Sequence, residues 1–243
     1  MAIRKRIGAL VPSTNTTAEG DFQLAAPAGV TIHGMRMWLT NEGLGTAESM
    51  DSMNDEIASG AKYLSTANVD AIAYLCTTGS FYKGPGWDNQ MCDIIQQHSG
   101  VPGIATSPSA VEGLKEMGAR KVSIATPYPE WNNVKLREYF SAAGFTVLNV
   151  DGDPVASKSG NQGINDQDPE RIVEFASSVC DPEADVLFCS CTAWRAMEAA
   201  DRLEQKVGKP VVASNQATVW KTFKTLGLKV RTKGFGQLLD QLA

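Results

Sequence analysis

The sequence has two histidines, no Cys-x-x-Cys pair, and no apolar run near the roughly 18 residues that a membrane span needs. A structural zinc site and a transmembrane helix are therefore poorly supported. There is no Walker A loop and no strand-linked Gly-x-Gly-x-x-Gly, so nucleotide phosphates lack their usual cradle. The net charge of -5 comes without a basic block, which removes the electrostatic footprint of a nucleic-acid binder or of a protein held to anionic membranes. Ile7–Val11 is the first apolar stretch and is too short for a signal sequence. Five cysteines make an odd set with no disulfide framework, which fits a reducing compartment. The expectation is a cytoplasmic globular protein whose partner is neither nucleic acid nor membrane.

The sequence does have a regular alternation. Ile7–Val11, Val30–His33, Ala71–Leu75, Val122–Ala125, Thr146–Val150, Val186–Phe188 and Val211–Ala213 read as buried strands. Between them, Ile57, Ala61 and Leu64 fall at helical spacing, as do Ile172, Ala176 and Val179. Ser107-Pro108 and Asp168-Pro169 mark helix starts, where a capping side chain precedes a proline of the first turn. Strand and helix in turn predict an α/β protein with mainly parallel sheets.

An internal repeat refines that picture. Shifted by 115 residues, Ile7 falls on Val122, Pro12 on Pro127, Asp70 on Asp185, and Cys76-Thr77 on Cys191-Thr192. The helical face Ile57, Ala61, Leu64 falls on Ile172, Ala176, Val179, and Pro102 and Ala105 match Pro210 and Ala213 at a shift of 108. Two pseudo-symmetric lobes are expected, 1–115 and 116–220, with 221–243 packing back on the first. Each lobe would be a mainly parallel sheet flanked by helices.

Parallel α/β sheets bind ligands beyond the carboxyl ends of their strands. Cys76 and Cys191 each follow such a strand, so facing lobes would aim two thiols into one cleft. Cys76-Thr77-Thr78-Gly79-Ser80 is rich in hydroxyls and backbone N–H groups, which can hold a carboxylate and lower a thiol pKa. Cys191-Thr192-Ala193 repeats the arrangement. Ser13, Asn15 and Tyr128 follow two other strands; Ser13 and Asn15 can bind a carboxylate or cap the next helix, and Tyr128 can donate to an oxyanion or pack between the lobes. Cys92 and Cys180 are assigned to packing, whereas Cys189 competes with Cys191 as the reactive thiol. His98 reads as a helix C-terminal residue. Trp38 and Trp87 are expected to be exposed and available to a homo-oligomer interface.

Four motifs together resemble one family. Val11-Pro12-Ser13-Thr14-Asn15-Thr16-Thr17, Cys76-Thr77-Thr78-Gly79-Ser80, Thr126-Pro127-Tyr128 and Ser190-Cys191-Thr192 are similar, in order and spacing, to the aspartate/glutamate racemase superfamily. The nearest branch is that of maleate cis–trans isomerases and arylmalonate decarboxylases. The resemblance implies paired catalytic thiols at Cys76 and Cys191, with Thr77, Thr78, Tyr128 and Thr192 around a substrate carboxylate. It also implies substrate contacts from Asn15 and Asn161, and no cofactor. The Thr77–Gly84 stretch resembles the decarboxylase, which carries glycine where this chain has Cys76. The expected activity is isomerisation or racemisation of a small carboxylate, with decarboxylation of a disubstituted malonate through Cys191 as the alternative.

Overall fold

The computed structural model describes residues 4–39, 46–230 and 233–243. Their strands form two separate four-stranded sheets of the same order, in which every pairing is parallel. The first runs β2-β1-β3-β4, from β1 (Lys5–Pro12), β2 (Val30–Met37), β3 (Ala71–Tyr74) and β4 (Gly103–Ala105). Its helices are α1 (Ala18–Ala25), α2 (Ala47–Asn54), α3 (Ile57–Ser65), α4 (Thr77–Phe81), α5 (Trp87–Ser99) and α6 (Thr106–Glu116). The second runs β6-β5-β7-β8, from β5 (Lys121–Thr126), β6 (Thr146–Gly152), β7 (Val186–Cys189) and β8 (Val211–Ala213). With it come α7 (Glu130–Ala142), α8 (Gly160–Asn165), α9 (Pro169–Val179), α10 (Ala196–Val207), α11 (Ser214–Leu226) and α12 (Gln237–Asp240).

The 115-residue repeat is visible in the strand register. Ile7 pairs with Ala71 and with Ile32; Val122 pairs with Val186 and with Val147, each the same residue shifted by 115. The central strands β3 and β7 are buried along their whole length, because helices cover both faces of a parallel sheet. That is why they read as unbroken apolar runs. The Asp70–Asp185 match also has a structural cause. Asp70 accepts from the Arg6 amide at 2.8 Å and Asp185 from the Lys121 amide at 2.8 Å, so each carboxylate holds the start of a central strand.

The seven expected strands are all present, and the structure adds β4, only three residues long. One helix start differs. Asp168 caps α9 through the Glu170 amide at 2.8 Å, whereas α6 begins at Thr106 with Ala105 at its cap position. Ser107 lies inside α6 and donates to the Thr77 carbonyl at 3.1 Å, a tertiary contact in place of a cap. Helix α11 packs along α6 and reaches α1, where Phe22 meets Phe223 edge-on at 6.4 Å. Helix α12 sits on α11 and β8, and Leu238 abuts Gly113 of α6. Trp38 is exposed as expected, but Trp87 is half-buried, its indole N–H donating to the Gly79 carbonyl at 2.9 Å. No helix among the described residues is long and apolar enough to cross a membrane.

Candidate active site

Strands β3 and β7 run parallel to equivalent neighbours, so their carboxyl ends deliver Cys76 and Cys191 to equivalent places. Both thiols line one cavity of about 60 Å³ between the two sheets. Thr77, Thr78, Tyr128, Thr192, Asn15 and Asn161 line it too, with Leu39, Met50 and Ile164 supplying apolar wall. Ser13 lies outside this cavity. Its hydroxyl accepts from the Leu39 amide at 3.0 Å, pinning the end of β2 to the first turn.

Cys76 occupies the cap position of α4, and its Sγ accepts from the Gly79 amide at 3.4 Å. Cys191 is held by its own amide, which donates to Ser214 Oγ at 3.1 Å, while the Ala193 and Trp194 amides and the Tyr128 hydroxyl favour its thiolate. The donor turns are thus in place, but they do not lower the thiol pKa values as the sequence suggests. Both side chains are buried, and removing a thiolate from water outweighs the donors. Burial pushes Cys76 up to about 12 and Cys191 up to about 11. At these values both thiols rest protonated at neutral pH. Burial likewise holds the Tyr128 phenol well above its ordinary value, so it acts as a neutral donor.

Hydrogen bonds join the two sheets around the thiols. Thr77 Oγ1 donates to Ser214 Oγ at 3.0 Å, so one serine on α11 touches the residue after Cys76 and the amide of Cys191. Thr192 Oγ1 donates to the Leu75 carbonyl at 3.0 Å. Of the two roles open to it, Asn15 takes the helix-start one and also joins the two halves of the site. Its Oδ1 accepts from the Thr17 and Ala18 amides at 2.9 and 3.0 Å, capping α1, and its Nδ2 donates to Thr192 Oγ1 at 3.1 Å. The second Nδ2 hydrogen remains for a ligand. Asn161 is carried by α8, which Asn165 fastens to the first turn through the Thr14 carbonyl and the Thr16 amide, both at 3.0 Å. The Asn161 Nδ2 is buried and has no partner among the described residues.

Cys189 does not line the cavity; it is fully buried in the sheet, where desolvation raises its pKa further. Cys92 and Cys180 are half-buried, on α5 and at the end of α9. Two residues escaped the sequence reading. Asn132, in the first turn of α7, lines the cavity, and Ser214 bridges the sheets. Ser214 was within reach, since the 108-residue shift places it on Thr106, the other residue opening a helix after an edge strand. For Asn132 the sequence carries only its closeness to Tyr128.

Compared with known proteins, the sequence model described as arylmalonate decarboxylase matches residues 11–239. The chain belongs to the arylmalonate decarboxylase family. The likeness carried by the four motifs therefore holds along almost the whole chain. Within this family's reach, the chain is 28% identical over 255 residues to the maleate isomerase of Geobacillus stearothermophilus, covering 99% of each. It is 24% identical over 204 residues to the arylmalonate decarboxylase of Bordetella bronchiseptica, covering 82% of this chain and 84% of that one. Among solved structures, the Nocardia farcinica maleate cis–trans isomerase matches with a TM-score of 0.89 at 23% identity, covering 99% of this chain and 100% of that one. That structure is of a cysteine-to-serine mutant with a covalently bound succinylcysteine intermediate. At that identity the likeness speaks for the fold.

Proposed function

We propose that this member of the arylmalonate decarboxylase family is a cofactor-independent isomerase of a small unsaturated carboxylate, of the maleate cis–trans type, working through Cys76 and Cys191. The observation that carries the reading is the pair of thiols, one from each sheet, on one small cavity.

The chemistry follows from the two sulfurs. One thiolate adds to an alkene carbon, and the displaced π pair moves onto the neighbouring carbon, where the carboxylate delocalises it. The opposite thiol protonates that carbon and leaves a saturated thioether whose central bond rotates. The second sulfur then takes a proton back, and the first leaves as thiolate with the trans product. The succinylcysteine of the Nocardia farcinica protein is a saturated adduct of this kind. Charge on the carboxylate oxygens would be met by the hydroxyls of Thr78 and Tyr128 and by the free N–H groups of Asn15 and Asn161, while Thr77, whose hydroxyl donates to Ser214, holds the turn that carries Cys76. In the racemase variant of the same reading, one sulfur removes an α-proton and the other returns one on the opposite face.

Decarboxylation is the second reading, favoured by the Thr77–Gly84 stretch and by Tyr128 beside Cys191. The readings part at Cys76, which only the isomerase needs. Proton NMR of the protein in D2O with maleate, phenylmalonate, and aspartate or glutamate enantiomers tests them together. Fumarate formed by the wild-type chain and lost in both Cys76→Ala and Cys191→Ala is the expected result. A decarboxylated product that persists in Cys76→Gly would replace isomerisation with decarboxylation. Near-normal turnover by Cys191→Ala would overturn both.

A further inference from the structure

Asn132 is 1% exposed, lines the cavity, and is only half used. Its Nδ2 donates to Thr78 Oγ1 at 3.1 Å, while its Oδ1 is buried without a partner. Buried carbonyls are rarely left unpaired, so an orphan on a residue that lines a cavity points to a group that arrives with the ligand. The other orphan on the cavity is the Nδ2 of Asn161, a donor. The two demands are complementary: the ligand must accept from Asn161 and donate to Asn132. A dicarboxylate dianion satisfies only the first, because all its oxygens are acceptors and one of them would face the Asn132 lone pairs.

Resting on the isomerase reading above, we infer that the substrate is a small cis-unsaturated carboxylate bearing a neutral hydrogen-bond donor, a carboxamide or a hydroxyl, at its far end, and that Asn132 selects it. With Nδ2 turned to Thr78, the Thr78 hydroxyl hydrogen is free for the substrate carboxylate, and Oδ1 receives the donor. Asn132 is then a specificity-determining residue, while the bonds are made and broken at the two sulfurs.

Three probes test this: maleate, its isosteric monoamide maleamate, and cis-4-hydroxybut-2-enoate. The rate constant kcat/KM for cis–trans conversion is measured for each with the wild-type chain and with Asn132→Leu. A site built to receive a donor discriminates strongly against an analogue lacking it, so at least one donor-bearing probe should exceed maleate by about 100-fold or more. Which of the two does so identifies amide or hydroxyl. In Asn132→Leu that ratio should collapse towards one. Equal or better turnover of maleate by the wild-type chain overturns the inference and leaves the isomerase reading standing, and it needs no variant to fold. A preference undiminished in a folded Asn132→Leu, judged by circular dichroism, also overturns it. Failure to convert any of the three overturns the isomerase reading, and this inference with it.

Discussion

The Thr192 hydroxyl donates to the Leu75 carbonyl at 3.0 Å, which ties the residue after one thiol to the residue before the other. The same oxygen accepts from Asn15 Nδ2 at 3.1 Å, so the first turn, the Cys76 strand and the Cys191 turn meet at one atom. Thr192→Val preserves shape and removes that atom, leaving the Leu75 carbonyl and an Asn15 N–H buried without partners. Each such loss costs about 1–3 kcal/mol. With two such losses the variant should be about 2–6 kcal/mol less stable in urea denaturation. Its kcat should fall more than its KM changes, because the spacing of the two sulfurs relaxes. Unchanged stability and kcat would show that the bond carries no strain between the sheets.

Gly79 is required by a close approach. A Cβ there would lie 1.9 Å from the Tyr74 hydroxyl and 3.1 Å from Met53 Cε. Tyr74 is fully buried and its hydroxyl donates to Asn54 Oδ1 at 2.5 Å, so it has nowhere to retreat. Gly79→Ala should cost about 2–3 kcal/mol, within the usual range for overpacking a core. Adding Tyr74→Phe removes the obstructing oxygen, so the double variant should lose less stability than the two single changes added together. Simple additivity in thermal denaturation would show that the clash is relieved elsewhere.

What the sequence made legible follows from the same physics. Strands such as Ala71–Tyr74 and Val186–Cys189 are buried on both faces and so appear as apolar runs, and their register preserves the spacing that puts Cys76 on Cys191. Strand β4 was missed because three residues, opening with Gly103, hold no period. The thiol turns were recognisable as donor arrays, yet the desolvation that outweighs those donors belongs to the assembled cleft and to no local segment. The bonds that Asn132 and Ser214 make were hidden for a similar reason, although the 108-residue shift does mark Ser214 as a helix-opening position. Each acts on a partner more than 50 residues away in the chain, Asn132 on Thr78 and Ser214 on Thr77.

Because both thiols rest protonated, turnover should depend on pH in a defined sense. Cys191 is raised to about 11 and Cys76 to about 12, so the thiolate fraction grows tenfold per pH unit below those values. With one sulfur as thiolate and the other as thiol, kcat/KM should climb with a slope near one from pH 7 to pH 9 and peak on the alkaline side. The two limbs would belong to the thiol pair as a whole. Iodoacetamide should label the folded chain slowly at pH 7 and faster as pH rises. A rate profile flat from pH 7 to pH 9 would place the attacking thiol below neutrality and refute the ordering set by burial.

Asp21, behind the site on α1, gives the fold its own pH dependence. It is 1% exposed and accepts from Asn215 Nδ2 at 2.7 Å, while the other Asn215 hydrogen goes to the Thr192 carbonyl at 2.8 Å. Burial raises its pKa from 3.8 to about 7; the Asn215 bond lowers it, and of the nearby charges Glu198 raises it while Arg195 lowers it. The folded state therefore holds a proton that the unfolded chain has released above pH 4. Its contribution to stability is complete below pH 3.8 and is lost as pH rises through about 7. Asp21→Asn keeps an acceptor for Asn215 and removes the titration. Relative to this variant, the wild-type chain should lose about 3 kcal/mol between pH 5 and pH 8, at about 1.4 kcal/mol per unit over the two units below its pKa. Urea midpoints of the two proteins at both pH values measure the difference directly. If the two pH–stability curves run parallel, Asp21 is ionised throughout and its charge is compensated by Arg195.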